Sequence, residues 1–393
     1  MDALMLPLNW QRVRLGDIAE INPPTIIPNV FYYIDLENVE KGQLLNKQLM
    51  TKNKAPSRAR RLLSKNDILY QLVRPYQRNN YFFTLNGDYV ASTGYAQIRT
   101  LQNPSFLYFA LHSNYFVNAV LDRCEGTSYP AVSSNELKKC EVILPPLNEQ
   151  IAIANILSDV DHYLYSLDAL ILKKEGVKKA LSFELLSQRK RLKGFNQNWQ
   201  KVRLGTYKYR RGSFPQPYGN PQWYSDNGMP FVQVYDVGEN FKLTQKTKQK
   251  ISKIAQPMSV FVPKNSVIIT LQGTIGRVAL TQYDCYCDRT ILIFDNNTLN
   301  DVNKYFFVLS LFTKFEEEKR KADGSIIKTI TKQTLKDFEI LLPPLNEQIA
   351  IADILSALDK EIESLKNKKR QFENIKKALN HDLMSAKIRV LEK

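Results

Sequence analysis

The sequence of 393 residues predicts an α+β protein: two mixed globular domains separated by two long antiparallel helices that form an intramolecular coiled coil, the whole a pseudo-two-fold repeat. Three observations predict it. LPPLNEQIAIANILSDVD at 144–161 returns as LPPLNEQIAIADILSALD at 342–359, so the repeat interval is 342 − 144 = 198 residues, about half the chain. The copies differ only at Asn155/Asp353, Asp159/Ala357 and Val160/Leu358, and internal identity at a fixed interval sets the architecture before any local reading. Each copy then runs on without proline, with apolar residues every three or four positions. Between the copies the chain reads as short strands and turns.

The first domain, 1–143, opens on Trp10-Gln11-Arg12-Val13-Arg14-Leu15-Gly16, and the second, 194–341, opens on Trp199-Gln200-Lys201-Val202-Arg203-Leu204-Gly205, an offset of 199 − 10 = 189. The change from 189 to 198 means that 17–125 and 206–323 absorb nine residues of net length difference, and they retain little identity. Regions that tolerate such change are surface loops on a fixed scaffold, where recognition usually sits. Ile68-Leu69-Tyr70 and Val267-Ile268-Ile269 read as strands entered from turns, and 106–120 and 302–320 as short helical stretches.

The spacer helices, within 144–193 and 342–393, start after Pro145-Pro146 and Pro343-Pro344, where a missing N–H costs nothing, with Glu149 and Glu347 in the positive first turn. The first seam is Leu157, Val160, Leu164, Leu167, Ile171, Leu181 and Leu185. The second is Leu355, Leu358, Ile362, Leu365, Phe372, Leu379 and Leu383. Lys174, Lys178, Lys369 and Lys376 interrupt these a/d-type positions. Helices of about 44 residues would be roughly 65 Å long, and an apolar stripe of that length finds its partner in the other copy, antiparallel by the two-fold relation.

Hydrophobic content of 44% supplies packed cores, while a net charge of +16 points to a polyanionic partner. No apolar run reaches 18 residues and Met1-Asp2-Ala3 lacks signal-peptide character, so a cytoplasmic protein without a membrane partner is expected. Cys124, Cys140, Cys285 and Cys287 make no disulfide framework or metal-ligand spacing, and the close pair Cys285 and Cys287 reads as core-facing strand residues. Charge is dense in places: 52–78 carries eight Lys or Arg against Asp67, a net of 8 − 1 = +7. Arg reads guanine, Asn and Gln read adenine, and Lys mainly holds phosphate, so such clusters interleaved with Tyr, Asn and Gln suit a DNA surface.

Enzyme signals are weak. Asn22-Pro23-Pro24-Thr25 lacks the stacking aromatic of an amino-methyltransferase loop and reads as a proline turn, while Gly273-Thr274-Ile275-Gly276 reads as a tight hairpin beside Arg277. No phosphate-binding Gly-Lys-Ser/Thr loop occurs. No catalytic residue and no bound metal or cofactor is expected in this chain.

The doubled Leu-Pro-Pro-Leu-Asn-Glu-Gln-Ile stretches, the two Trp-Gln-x-Val-Arg-Leu-Gly openings and the two seam helices together resemble the DNA specificity subunit of type I restriction–modification systems, over almost the whole chain. Asp67-Ile68-Leu69-Tyr70, Val73-Arg74-Pro75-Tyr76 and Ser92-Thr93-Gly94-Tyr95 also look like family wording, from which Gln272-Gly273-Thr274-Ile275-Gly276-Arg277 departs. The resemblance implies a non-catalytic subunit whose two target recognition domains read the halves of an interrupted site in double-stranded DNA. It implies docking of two methyltransferase subunits and of restriction (motor-nuclease) subunits, which would hold S-adenosylmethionine, ATP and magnesium. The residues expected on DNA are Arg58, Arg60, Arg61, Arg74, Tyr76, Arg78, Asn79, Asn80, Thr93 and Tyr95 in the first domain. In the second they are Arg210, Arg211, Tyr218, Gln272, Gly273, Thr274, Arg277, Arg289 and Lys328. Partner docking is expected at Asn148, Glu149, Gln150, Asn346, Glu347 and Gln348. Three alternatives stay open: a related system with methyltransferase and nuclease fused, a stand-alone methyltransferase, and a membrane-surface scaffold.

Overall fold

The structure, a computed structural model, describes residues 6–238, 240–272, 276–321 and 332–390. It divides into two compact units, Met1–Leu170 with Leu365–Lys393 and Ile171–Ser364. Each holds one mixed head and part of both long helices, α1 (Leu147–Leu186) and α2 (Leu345–Met384).

In the first unit the opening motif forms a strand, Gln11–Arg14, paired antiparallel with Glu141–Leu144, which leads into α1. The chain between these two strands folds into two four-stranded sheets. One runs Gln48–Thr51, Val30–Ile34, Tyr89–Ser92, Ala59–Leu62, with a parallel pair at its centre that sets Tyr32 beside Tyr89. The other runs Ala19–Ile21, Tyr95–Thr100, Ile68–Gln71, Tyr81–Phe82, all antiparallel.

The second unit repeats this plan. Gln200–Arg203 pairs with Glu339–Leu342 ahead of α2. One sheet runs Gln249–Ile251, Tyr224–Val232, Cys285–Cys287, Val260–Val262, again with a central parallel pair, Phe231 beside Tyr286. The other runs Tyr209–Arg211, Ile291–Phe294, Val267–Thr270, Val278–Leu280. Strand order has therefore survived where residue identity has not, because a sheet needs alternating or continuous apolar positions rather than particular side chains. The strands expected at 68–70 and 267–269 are present and fully buried, and Cys285 and Cys287 both face the core.

The helical stretch expected at 106–120 is two helices, Pro104–Ala110 and Asn114–Leu121. The Ser113 hydroxyl accepts from the Phe116 N–H at 3.2 Å, and this N-cap starts the second helix. In the second unit the corresponding helix is uninterrupted, Lys304–Lys321. Asn22 of the Asn-Pro-Pro stretch sits in a left-handed turn at φ +57°, its side chain bonded to the Gln97 N–H and the Ser134 hydroxyl. Gly276 lies between the antiparallel strands Val267–Thr270 and Val278–Leu280, while Gly273, Thr274 and Ile275 of the expected tight hairpin lie outside the described residues.

Every expected seam residue is buried or half-buried. The lysines that seemed to interrupt the seam pin it instead. In the first unit Lys369 reaches Asp168 at 2.5 Å and Lys376 reaches Asp161. In the second, Lys174 reaches Glu361 at 2.8 Å and Lys178 reaches Asp359. Within each unit the partner number falls on one helix as it rises on the other, so the pairing is antiparallel. The ion pairs Lys178 to Asp359 and Lys376 to Asp161 are the same pair under the 198-residue repeat, since 178 + 198 = 376 and 161 + 198 = 359. Both helices end in equivalent left-handed residues, Gln188 (φ +59°) and Ala386 (φ +57°). No described helix is long and apolar enough to cross a membrane.

Candidate nucleic-acid interface

Strand pairing brings several of the expected contact residues, among those described, to one edge of each head. In the first unit Gln71 opposes Tyr95 and Ala59 opposes Ser92, so the loop after 68–71, the turn at 92–94 and the start of 59–62 lie together. The Thr93 N–H donates to the Arg58 carbonyl at 2.8 Å and the Leu72 N–H to the Gly94 carbonyl at 3.0 Å. In the second unit Thr270 opposes Ile291 and Arg211 opposes Leu292, which places 271–272, 288–290 and Arg211 at the topologically equivalent edge.

The loop in the first unit is strained. Arg74 and Arg78, either side of the short 3-10 turn Pro75–Gln77, are both left-handed at φ +55°. Such non-glycine residues cost about 1 kcal/mol or more each and persist only where surroundings hold them. Here Gln71 does so, its amide reaching the Gln77 side chain at 3.0 Å and the Asn79 N–H at 3.1 Å, while the Asn80 side chain accepts from the Gln71 N–H at 2.8 Å. The strain delivers Tyr76, half exposed, and Arg74, whose guanidinium lies 4.1 Å from the ring centroid of the exposed Tyr129. A bridge between Val73 and Ala131 brings Tyr129 alongside.

Several expected contacts prove to be scaffold. Asn80 and Tyr95 are buried, at 2% and 0% exposure, because their strand and loop positions face the core. Arg78 donates to the His112 carbonyl at 2.9 Å and to Asn114 at 2.7 Å, and the Asn79 side-chain Oδ1 accepts from the Lys41 N–H. These four fix the loop rather than project from it. Arg58, bound to Tyr33 and Asp35, and Arg60, bound to the Ser57 carbonyl, stay at the surface, with Thr93 partly exposed between the loops. Arg61 is half-buried, and burial followed by the neighbouring Arg60 lowers its pKa.

At the second edge Asp288 is buried and accepts from the Tyr218 hydroxyl, from the Arg289 N–H at 2.6 Å and from the Thr290 hydroxyl at 2.9 Å. Tyr218 is thereby held under the exposed Arg289, whose guanidinium lies 5.3 Å from its ring centroid. Burial and then the Asp288 hydrogen bond raise the Tyr218 pKa well above the usual phenol range. Gly212 passes so close to this turn that an added Cβ would sit 2.2 Å from the Asp288 carbonyl oxygen. Arg211 and Gln272 are exposed, whereas Arg210 bonds the Phe261 carbonyl and Arg277 the Val237 carbonyl. Gly273, Thr274 and Lys328 lie outside the described residues.

The expected docking residues also divide. Glu149 and Gln150 in one copy, and Glu347 and Gln348 in the other, are buried at 1–2% exposure. Gln150 bonds the Asn103 N–H and the Pro145 carbonyl, and Gln348 bonds the Asn303 N–H and the Pro343 carbonyl, so these glutamines join head to helix. The two glutamates receive arginines, Arg389 and Arg191 respectively. The burial corrects the docking expectation for all four. Asn148 and Asn346 are exposed, flanked by Leu147 and Ile151 and by Leu345 and Ile349.

Two heads of one plan, each with a basic, aromatic-bearing edge, make this a duplicated two-headed recognition protein. The family model described as type I restriction modification DNA specificity domain matches residues 7–176 and 196–374, and the chain belongs to that family. A Methanocaldococcus jannaschii protein described as type I restriction enzyme MjaX specificity subunit is 28% identical over 66% of this chain, and this chain spans 62% of that relative. The type I restriction enzyme MjaVIII specificity subunit of the same organism is 23% identical over 99% of this chain and 95% of its own length. The crystal structure of a type I restriction–modification system S subunit from M. genitalium shares the fold, with a TM-score of 0.62 at 16% identity over 96% of this chain and 98% of that one.

Proposed function

We propose that this chain reads an interrupted, two-part site in double-stranded DNA, one part per head, and brings methyltransferase and restriction subunits to it. One observation carries the reading. The same loop edge recurs on the same strand order in both units, yet presents unlike side chains, Arg74 and Tyr76 in one and Gln272 and Arg289 in the other. Conserved topology with divergent contacts is what two readers of different half-sites require. The net charge of +16 supplies the phosphate attraction that such binding needs.

The chain acts without chemistry of its own. S-adenosylmethionine, ATP and magnesium belong to the partner subunits. The near-identical helix starts suit docking of two copies of one partner, through exposed Leu147, Asn148 and Ile151 and through their equivalents Leu345, Asn346 and Ile349. Buried packing explains the identity of Ile153, Ala154 and Leu157 with Ile351, Ala352 and Leu355, whereas nothing within the described residues covers the outer leucines and isoleucines.

The test is co-expression with the cognate modification subunits in a host lacking other adenine methylation, followed by sequencing of modified bases. A single bipartite motif with an unread gap is expected. A continuous motif, or methylation unchanged when this chain is omitted, overturns the reading.

A further inference from the structure

We infer that Arg74 and Arg289 are the specificity-determining arginines of the two heads, each reading one guanine in its own half-site; this rests on the DNA-reading function proposed above. The arginines at these edges fall into distinct groups. Arg58, Arg60, Arg78, Arg210 and Arg277 spend guanidinium N–H groups on protein oxygens. Arg74 and Arg289 make no such bond among the described residues, and each instead lies against a tyrosine, Tyr129 at 4.1 Å and Tyr218 at 5.3 Å from the ring centroid. Arg61 and Arg211 have neither arrangement, and Arg61 is in addition half-buried.

A cation–π contact of this kind leaves the guanidinium's N–H groups free while confining its long side chain. A planar fork held in this way is suited to the O6 and N7 acceptors of guanine in the major groove, which it meets bidentately. Both tyrosines are placed by contacts that do not involve the guanidinium groups. The segment that carries Tyr129 is placed by the Val73 to Ala131 bridge and by the Arg74 N–H on the Pro130 carbonyl, and Tyr218 by its hydroxyl on buried Asp288.

The two cation–ring contacts arose from unrelated sequence. Arg74 belongs to the loop after its central strand and its ring comes from 55 residues downstream, while Arg289 belongs to the turn before the return strand and its ring comes from 71 residues upstream. One arrangement reached by two routes at equivalent edges is a property of what is bound there, since no shared local motif imposes it.

The experiment uses the full chain assembled with its modification subunits. Methylated-motif sequencing of wild type defines the two half-sites, and the assembled complex is then titrated with duplexes carrying 7-deazaguanine, which lacks the N7 acceptor, at each guanine in turn. One guanine per half-site is expected to weaken wild type by roughly 10- to 100-fold when replaced. Arg74→Ala is expected to abolish the effect in one half-site only, and Arg289→Ala in the other only. Arg74→Lys is expected to behave like Arg74→Ala, because an ammonium is a point charge without the fork, and it controls for loss of charge. Tyr129→Phe should retain discrimination and Tyr129→Ser should lose much of it. A half-site without a guanine overturns the inference for that head, as does a variant that loses affinity equally for all duplexes. Both results leave the proposed function standing if the wild-type motif is bipartite. Absence of any bipartite motif in wild type instead removes the underlying function.

Discussion

Arg389, just beyond the end of α2, grips the buried carboxylate of Glu149 at the start of α1 with two parallel hydrogen bonds, Nε to Oε1 at 2.7 Å and Nη2 to Oε2 at 2.9 Å. The second unit contains the reciprocal contact, Arg191 beyond α1 on Glu347 at the start of α2, and 191 + 198 = 389 while 149 + 198 = 347. The repeat therefore fastens each helix start with the segment that follows the other helix. One difference breaks the symmetry: the Trp10 indole N–H also reaches Glu149 at 3.0 Å, whereas the Trp199 indole N–H meets no acceptor among the described residues.

That difference orders two mutants. Removing one member of a buried ion pair leaves an uncompensated charge and costs about 3–5 kcal/mol. Arg191→Ala is expected to reach this range, because Glu347 loses its arginine without an indole to replace it. Arg389→Ala is expected to cost less, since Trp10 stays. Hydrogen exchange of 345–355 in the first variant and 147–157 in the second measures both. Adding Glu347→Gln to Arg191→Ala should recover part of the loss.

His112 gives the first unit an acid sensitivity. Its Nδ1–H donates to the Tyr108 carbonyl at 2.7 Å, and Nε2 faces the Asn80 amide at 3.4 Å, a donor that suits only a neutral ring. Burial above all, with Lys376 and Arg78 adding to it against the Tyr108 bond, pushes its pKa down to about 4. The unfolded value is near 6.5, so between these values the unfolded chain binds more protons and stability falls as pH falls. Above about 6.5 the histidine makes no difference. Exchange protection of 104–121 is expected to drop between pH 7 and 5 in wild type and to stay nearer its neutral value in His112→Gln.

Gly212→Ala places a methyl group against the backbone of Cys287 and Asp288. Relief requires the turn that carries Arg289 to move, at about 1–3 kcal/mol. Recognition of one half-site should weaken while the other is read as before, which methylated-motif sequencing distinguishes. Equal loss at both would mean that the strain spreads through the chain.

Each long helix contributes to both units, so helix length rather than loop sequence is expected to govern the number of unread base pairs. Deleting one heptad from both helices removes about 10 Å of helix. The accepted gap should change and both half-sites should persist. Altered half-sites with an unchanged gap would refute the idea.

The repeat was legible from identity at a fixed interval, the seam from its three-to-four spacing, and the two central strands from short apolar runs entered from turns. The seam lysines were not, since whether a lysine interrupts or bridges depends on which acid the opposite helix brings to it, here Asp161, Asp168, Asp359 and Glu361. Asn80 and Tyr95 had the right chemistry for base contact but occupy core-facing positions, which only the sheet partners decide. Tyr129 escaped notice because its relation to Arg74 is made by a bridge between distant segments. Within the duplicated Leu-Asn-Glu-Gln stretch, identity alone marked Asn148, Glu149 and Gln150 alike and passed over Leu147. Helix periodicity then turned Glu149 and Gln150 inward and left Leu147 and Ile151 outside.

In both units the chain enters its head on one strand and leaves on the neighbouring one, Arg14 opposite Glu141 and Arg203 opposite Glu339. The divergent portion is thus a plug whose two wires emerge side by side from a common socket. Recombination at those sockets could exchange a whole vocabulary of DNA words while leaving the grammar of the assembly, its helices and their fastenings, untouched.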